Sequence, residues 1–233
     1  MKRTISLIAA LMLLVCGVLP ACASGAIETT DQTWYVVSHS DDYRVYYFAV
    51  VANTGDKPVS VNDLLFEIQD PSDVTIESTS KYKLYPEVLE AGQTGWLTIS
   101  KDVKDIDDKA EIDHYNLTIT SKVNDDRAAR PLAATAEYLK KDEDDNENVL
   151  RATVTNDGTE SVFDIVVASA AFDADGKLLY VTGDAAKNIG IAAGTSFMQR
   201  ALIKSDITDA MEDAQLEIAS AQAVAYTMED LDD

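Results

Sequence analysis

The chain has 233 residues, with 41 Asp and Glu against 19 Lys and Arg, a formal net charge of −22 and a pI near 4.2. Such acidity repels phosphate backbones and anionic headgroups, which excludes nucleic-acid partners and docking on lipid through a basic patch. With 46% hydrophobic residues a packed core is affordable, and 10 Gly and 5 Pro exclude collagen-like or low-complexity sequence.

Lys2 and Arg3 precede an apolar run from Ile5 to Leu19; Pro20 ends it, and Ala21-Cys22-Ala23 follows. This order predicts a secretory signal over residues 1–23. The run is shorter than the ~20 residues a spanning helix needs. Two processing routes compete. Ala21-x-Ala23 fits general cleavage after Ala23, the preferred reading. Leu19-Pro20-Ala21-Cys22 resembles a lipoprotein box, in which the signal ends before Cys22 and that residue carries lipid. Both predict an extracytoplasmic protein, secreted or lipid-anchored to the cell membrane, whose only contact with the bilayer is that N-terminal anchor. No Cys follows Cys22, so neither a disulfide nor a thiolate metal site is expected beyond it.

Beyond the signal, the chain repeats itself. At an offset of 103, Tyr35 falls on Tyr138, Asp41-Asp42 on Asp144-Asp145, Ala49 on Ala152 and Val51 on Val154. Asn53, Gly55, Val59 and Asp70 fall on Asn156, Gly158, Val162 and Asp173, and at an offset of 102 Ala91-Gly92 falls on Ala193-Gly194. Two copies are expected, residues 26–125 and 132–228, joined by a linker at 126–131 and followed by an acidic tail at 229–233. The charge divides evenly: residues 26–127 hold 9 basic and 20 acidic side chains, and residues 128–233 hold 8 and 21.

Each copy reads as β. Leu150, Ala152 and Val154 alternate with Arg151, Thr153 and Thr155, and Phe163 to Ala171 continues the period, with Val45–Val51 and Val61–Ile68 as counterparts. Asn53-Thr54-Gly55 and Asn156-Asp157-Gly158 supply turn chemistry, as does Asp173-Ala174-Asp175-Gly176. The acidic stretches Asp102–Ala110 and Asp206–Ala214 predict a short helix or loop before the last strands. Short strands with frequent turns favour two tandem antiparallel sandwiches that fold separately.

The run Asn-x-Gly, a strand, then Phe-x-Leu-Tyr-Asp and a turn resembles the FxLYD domain of bacterial and archaeal surface proteins. Phe66-Glu67-Ile68-Gln69-Asp70 carries it in copy one and Ser169-Ala170-Ala171-Phe172-Asp173 in copy two, with Gly92 and Gly194 as the late glycine turn. The resemblance implies immunoglobulin-like sandwiches serving as envelope modules, and no catalytic residues. Asn53, Gly55, Asp70, Asn156, Gly158 and Asp173 are then structural turn residues.

Chemistry-bearing patterns are sparse. His39 and His114 accompany no GxSxG elbow and no HExxH. Asp142–Glu147 is acidic enough to collect Ca²⁺ but lacks the spaced calcium-loop pattern and reads as a solvated loop, so no metal or other cofactor is expected. Copy one holds eleven of the seventeen aromatics. They read first as core; the alternative is a partner surface built on Trp34, Tyr46, Tyr47 and Trp96. The expectation is a non-catalytic binding or spacer module contacting an extracytoplasmic protein. The alternatives are a carbohydrate-binding module on those aromatics and a hydrolase with a dispersed site.

Overall fold

Apolar side chains two residues apart draw the first half of the chain into antiparallel strands. The computed structural model describes residues 26–141 and 147–231. The strands are β1 (Ile27–His39), β2 (Asp42–Asn53), β3 (Val59–Gln69), β4 (Thr75–Thr79), β5 (Lys83–Tyr85), β6 (Val88–Leu89), β7 (Thr94–Val103) and β8 (His114–Val123). β1, β2, β7 and β5 form one sheet, and β3 pairs with β4, β6 and β8 in a second. Val45, Tyr47, Ala49 and Val51 of β2 meet Leu64, Phe66 and Ile68 of β3 in a common core. Alternate residues of each strand therefore fill the space between two packed sheets.

The second half comprises β9 (Arg127–Leu139), β10 (Val149–Thr155), β11 (Val162–Phe172), β12 (Leu178–Ile191), β13 (Ser196–Leu202), α1 (Ser205–Asp213) and β14 (Ser220–Asp230). β9 serves two sheets: Arg127–Leu132 pair with β14, and Ala133–Leu139 pair with β10. One layer thus runs β12-β11-β14-β9 and the other β9-β10-β13. Ala152, Val154, Ile165, Val167 and Ala225 form the core between them. The chain is mainly β with antiparallel sheets, as expected. The acidic stretch 206–214 yields most of α1, whose buried Ile207 and Met211 lie one turn apart. The stretch 102–110 yields only a 3-10 turn at Lys109–Glu111, closed by an Asp108–Glu111 capping box.

Three expectations need correction. Residues 127–131, read as linker, lie in β9, with Pro131 opposite Tyr226 of β14. Glu229 and Asp230, read as tail, end β14 and pair with Arg130 at 2.9 Å and Arg127 at 3.3 Å. Tyr35 and Tyr138 are not equivalent: Tyr35 lies opposite Tyr46, whereas Tyr138 lies opposite Leu150, the counterpart of Tyr47. A one-residue offset puts the two rings on opposite faces of their sheets.

The halves share apolar surface. Tyr35, Val37, Tyr46, Phe48, Tyr85 and Trp96 project from the first sheet away from its own core. They pack against Phe172, Leu178, Tyr180, Val181, Ile207 and Met211 of the second half in a single buried cluster. Among the described residues β12 pairs only with β11, and the first half covers its backbone with side chains. Asp31 Oδ2 accepts from Leu178 N–H at 2.6 Å, while Tyr35 and Tyr85 hydroxyls donate to the carbonyls of Leu179 at 3.0 Å and Gly183 at 2.8 Å. An exposed sheet edge is a template for unwanted pairing, and here it is spent internally.

Candidate functional site

The paired turn residues are scaffold. Asn53 ends β2 at 1% exposure. Its Nδ2 donates to the carbonyls of Lys57 at 2.7 Å and Leu89 at 2.9 Å, and its Oδ1 accepts from Gly55 N–H at 2.9 Å. Asn156 repeats this with Glu160 at 2.7 Å, Ile191 at 2.9 Å and Gly158 N–H at 3.1 Å. Gly92 and Gly194, at φ of 73° and 71°, donate N–H to the carbonyls of Asn53 and Asn156. Only a residue at ease in the left-handed region turns there without strain. Asp70 Oδ1 accepts from Ser72 and Val74 N–H at 2.8 and 2.9 Å, and Asp173 Oδ1 from Asp175 and Lys177 N–H at 2.9 and 2.8 Å. These side chains satisfy backbone groups of loops, which is what holds a turn.

The aromatic residues considered as a partner surface are placed differently. Tyr46, Tyr47 and Trp96 are 4%, 0% and 6% exposed. Tyr47 faces the core of the first half, where its ring lies 5.2 Å from Phe66, while Tyr46 and Trp96 face the second half. Trp34, half-buried, packs edge-on to Tyr115 at 5.4 Å. The partner of the outer aromatic row is the second half of the same chain. Val45–Val51 carries apolar side chains on both faces without a break, the mark of a strand covered on both sides. At the same junction Lys204 Nζ donates to the Tyr46 hydroxyl at 3.0 Å, and that hydroxyl donates to Asp206 at 3.3 Å. Asp31, Tyr85 and Lys204 escape sequence reading, because nothing local marks a side chain whose partner lies 98 to 158 residues away.

Burial sets the acidity of the junction phenols. Tyr35, Tyr85 and Tyr180 are pushed up to about 12. A phenol removed from water resists becoming an anion, so these hydroxyls stay neutral donors throughout the physiological range.

The two histidines lie apart, His39 ending β1 and His114 opening β8 in the other sheet. His39 Nε2 is 2.8 Å from an Arg44 guanidinium nitrogen. Guanidinium only donates, so Nε2 is the acceptor in this contact. Arg44 also binds Asp102, whose carboxyl is held below the usual range by that hydrogen bond. His114 contacts Asp113 at 3.0 Å and Asp73 at 3.1 Å, both exposed carboxylates. Both histidines make surface or part-buried polar contacts in this geometry.

Among the described residues no group of three or more His, Cys, Asp or Glu is placed to hold a metal ion, and no helix is long and apolar enough to cross a membrane. The signal, Cys22 and residues 142–146 of the acidic loop lie outside the described residues. No family model matches the chain, and neither a curated protein nor a solved structure matches it significantly.

Proposed function

We propose that the chain is an exported envelope protein of two immunoglobulin-like, FxLYD-like modules, acting without catalysis as a binding or spacer unit through contact with an extracytoplasmic protein. The observation that supports this reading is the junction. The outward aromatic row of the first half is buried on the second, and Asp31, Tyr35 and Tyr85 bind the backbone of β12. A unit so fastened holds its outer loops and edges at fixed separation, which suits presentation of surface more than movement around a substrate. The Lys2–Ala23 pattern supports export.

The test has two arms. Mass spectrometry of the native N-terminus is expected to find Ser24 free, or Cys22 lipidated; retention of Met1–Leu19 in the mature protein overturns export. Cross-linking in intact envelopes is expected to join the protein reproducibly to one extracytoplasmic protein. Hydrolysis of an envelope polymer by the pure protein, lost on His39→Ala or His114→Ala, overturns the non-catalytic reading.

A further inference from the structure

A groove of about 720 Å³ opens where the two halves meet, within the size range of ligand sites and at the kind of junction where they concentrate. Its floor includes Val166 of β11 and Ala185 of β12, directly opposite one another. Tyr226 of β14 continues the same row on the other side of Val166.

The groove's charges balance. Lys83, Lys122 and Arg127 line it, and so do Glu87, Asp126 and Asp184. Arg127 pairs with Glu87 at 3.6 Å and Asp230 at 3.3 Å. Among the described residues, no ion pair within 4.0 Å engages Lys83, Lys122, Asp126 or Asp184. The groove therefore offers charged donors and charged acceptors side by side, with no net sign.

That balance selects a ligand class. A polyanion approaching a chain of net charge −22 is repelled before it reaches three local cations. A polycation meets those three cations at close range. An apolar ligand would strip water from six charges without pairing them. A neutral polyhydroxyl compound avoids all three costs, because each hydroxyl both donates and accepts. Tyr82, also in the lining and 37% exposed, adds a ring for the apolar C–H face of a sugar. The Tyr226 hydroxyl is buried beside the floor near the Glu87 backbone, and burial keeps it protonated as a donor.

We propose that this inter-half groove binds a neutral oligosaccharide, with Tyr82 stacking on a sugar ring and the Lys83, Lys122, Asp126 and Asp184 side chains hydrogen-bonding its hydroxyls. The site goes beyond a role as spacer and does not depend on the mode of export. It also differs from a glycan face on Trp34 and Trp96, since Trp96 is buried against the second half and Trp34 packs edge-on to Tyr115.

The experiment is calorimetric titration of the purified protein with chitotriose, cellotriose and maltotriose, with trigalacturonate as the acidic comparison. At least one neutral trisaccharide is expected to bind with Kd at or below about 1 mM. Its affinity should change less than twofold between roughly 50 and 300 mM salt, because the ligand carries no charge to be screened. Tyr82→Ala should weaken binding about tenfold, or by roughly 1.4 kcal/mol, and Asp184→Asn should weaken it as well. Both side chains are partly or fully exposed, so an unchanged unfolding midpoint verifies that the variants fold. Absence of binding by every neutral trisaccharide overturns the proposal. So does neutral binding indifferent to Tyr82→Ala, or a preference for trigalacturonate that falls steeply with salt.

Discussion

Phe48→Ala tests whether the two halves are one thermodynamic unit. The Phe48 ring is 3% exposed and lies on the outward face of β2, so its removal leaves the inner row of Val45, Tyr47, Ala49 and Val51 intact. What it loses is the edge-on contact with Tyr180 at 5.1 Å and the tilted contact with Tyr35 at 6.3 Å. Deleting a buried phenyl costs about 3–5 kcal/mol, since the surroundings collapse only partly into the space. With a urea dependence of roughly 2–3 kcal/mol per M, the midpoint should fall by about 1–2.5 M. Trp34 and Trp96 fluorescence reports the first half, and hydrogen exchange in peptides covering 162–172 reports β11 in the second. Both signals should move together. A midpoint shift below about 0.3 M would refute burial at the junction. A shift in fluorescence with unchanged exchange in β11 would refute the shared core and restore two independently folding copies.

Gly183 marks a close approach of the halves: a Cβ there would stand 2.7 Å from Tyr85 Cζ and 2.9 Å from Ala168 Cβ. Gly183→Ala should therefore cost about 1–3 kcal/mol, a fall of roughly 3–10 °C in a melting scan, and an unchanged melting point would show the contact to be loose. Asn53→Ala orphans the buried Leu89 carbonyl and should cost about 2–4 kcal/mol, against about 1 kcal/mol for Asp70→Ala, whose bonds lie at the surface. Equal losses in urea titrations of the two variants would contradict that ranking. Tyr35, Tyr85 and Tyr180 titrate near 10 when unfolded and at about 12 when folded, so stability they supply is complete below pH 10 and lost as the pH rises toward 12. Phenolate absorbance should therefore rise together with loss of circular dichroism in that window, and titration of all tyrosines near pH 10 with the fold intact would count against it.

What was legible in the sequence was whatever local backbone chemistry demands. Asn53 with Gly55, Asn156 with Gly158, and the Asp70 and Asp173 turns stand out because loops need specific donors, acceptors and φ values at fixed spacing. Strands with one face in a core stand out by alternation, as Leu150, Ala152 and Val154 do. The junction was not legible, because its members come from distant segments and no local pattern distinguishes a ring packed on a second module from one packed in its own. Nor was the passage of β9 from one sheet to the other. Pairing partners change at Leu132 while the strand itself continues, so the polar stretch around Asn124–Arg127 and Pro131 read as linker. The offset between Tyr35 and Tyr138 was hidden for a related reason. The connection between β1 and β2 is only Ser40 and Asp41, whereas β9 and β10 are nine residues apart, and a match of residue types does not report register.

The difference between the faces of the two halves has a physical logic. The outward row of the first half reads Tyr46, Phe48 and Val50 on β2, with Trp96 opposite Val50 on β7. At the same register the second half carries Val149, Arg151 and Thr153 on β10, with Met198 opposite Thr153 on β13. The junction joins two different faces, and a contact of that kind repeats indefinitely if the last copy keeps the donating face. Here Phe48 is answered by Arg151, which pairs with Glu137 at 2.6 Å, and Val50 by Thr153. Burying that ion pair under another module would cost desolvation that an aromatic row never faces. At this register the second half thus presents a polar pair where the first half presents Phe48 and Val50. Both must close the same loops, so Asn, Gly and Asp persist at the turns. Only the face of the first half packs on a neighbour, and that is why the likeness between the halves is visible at the turns and faint along the strands.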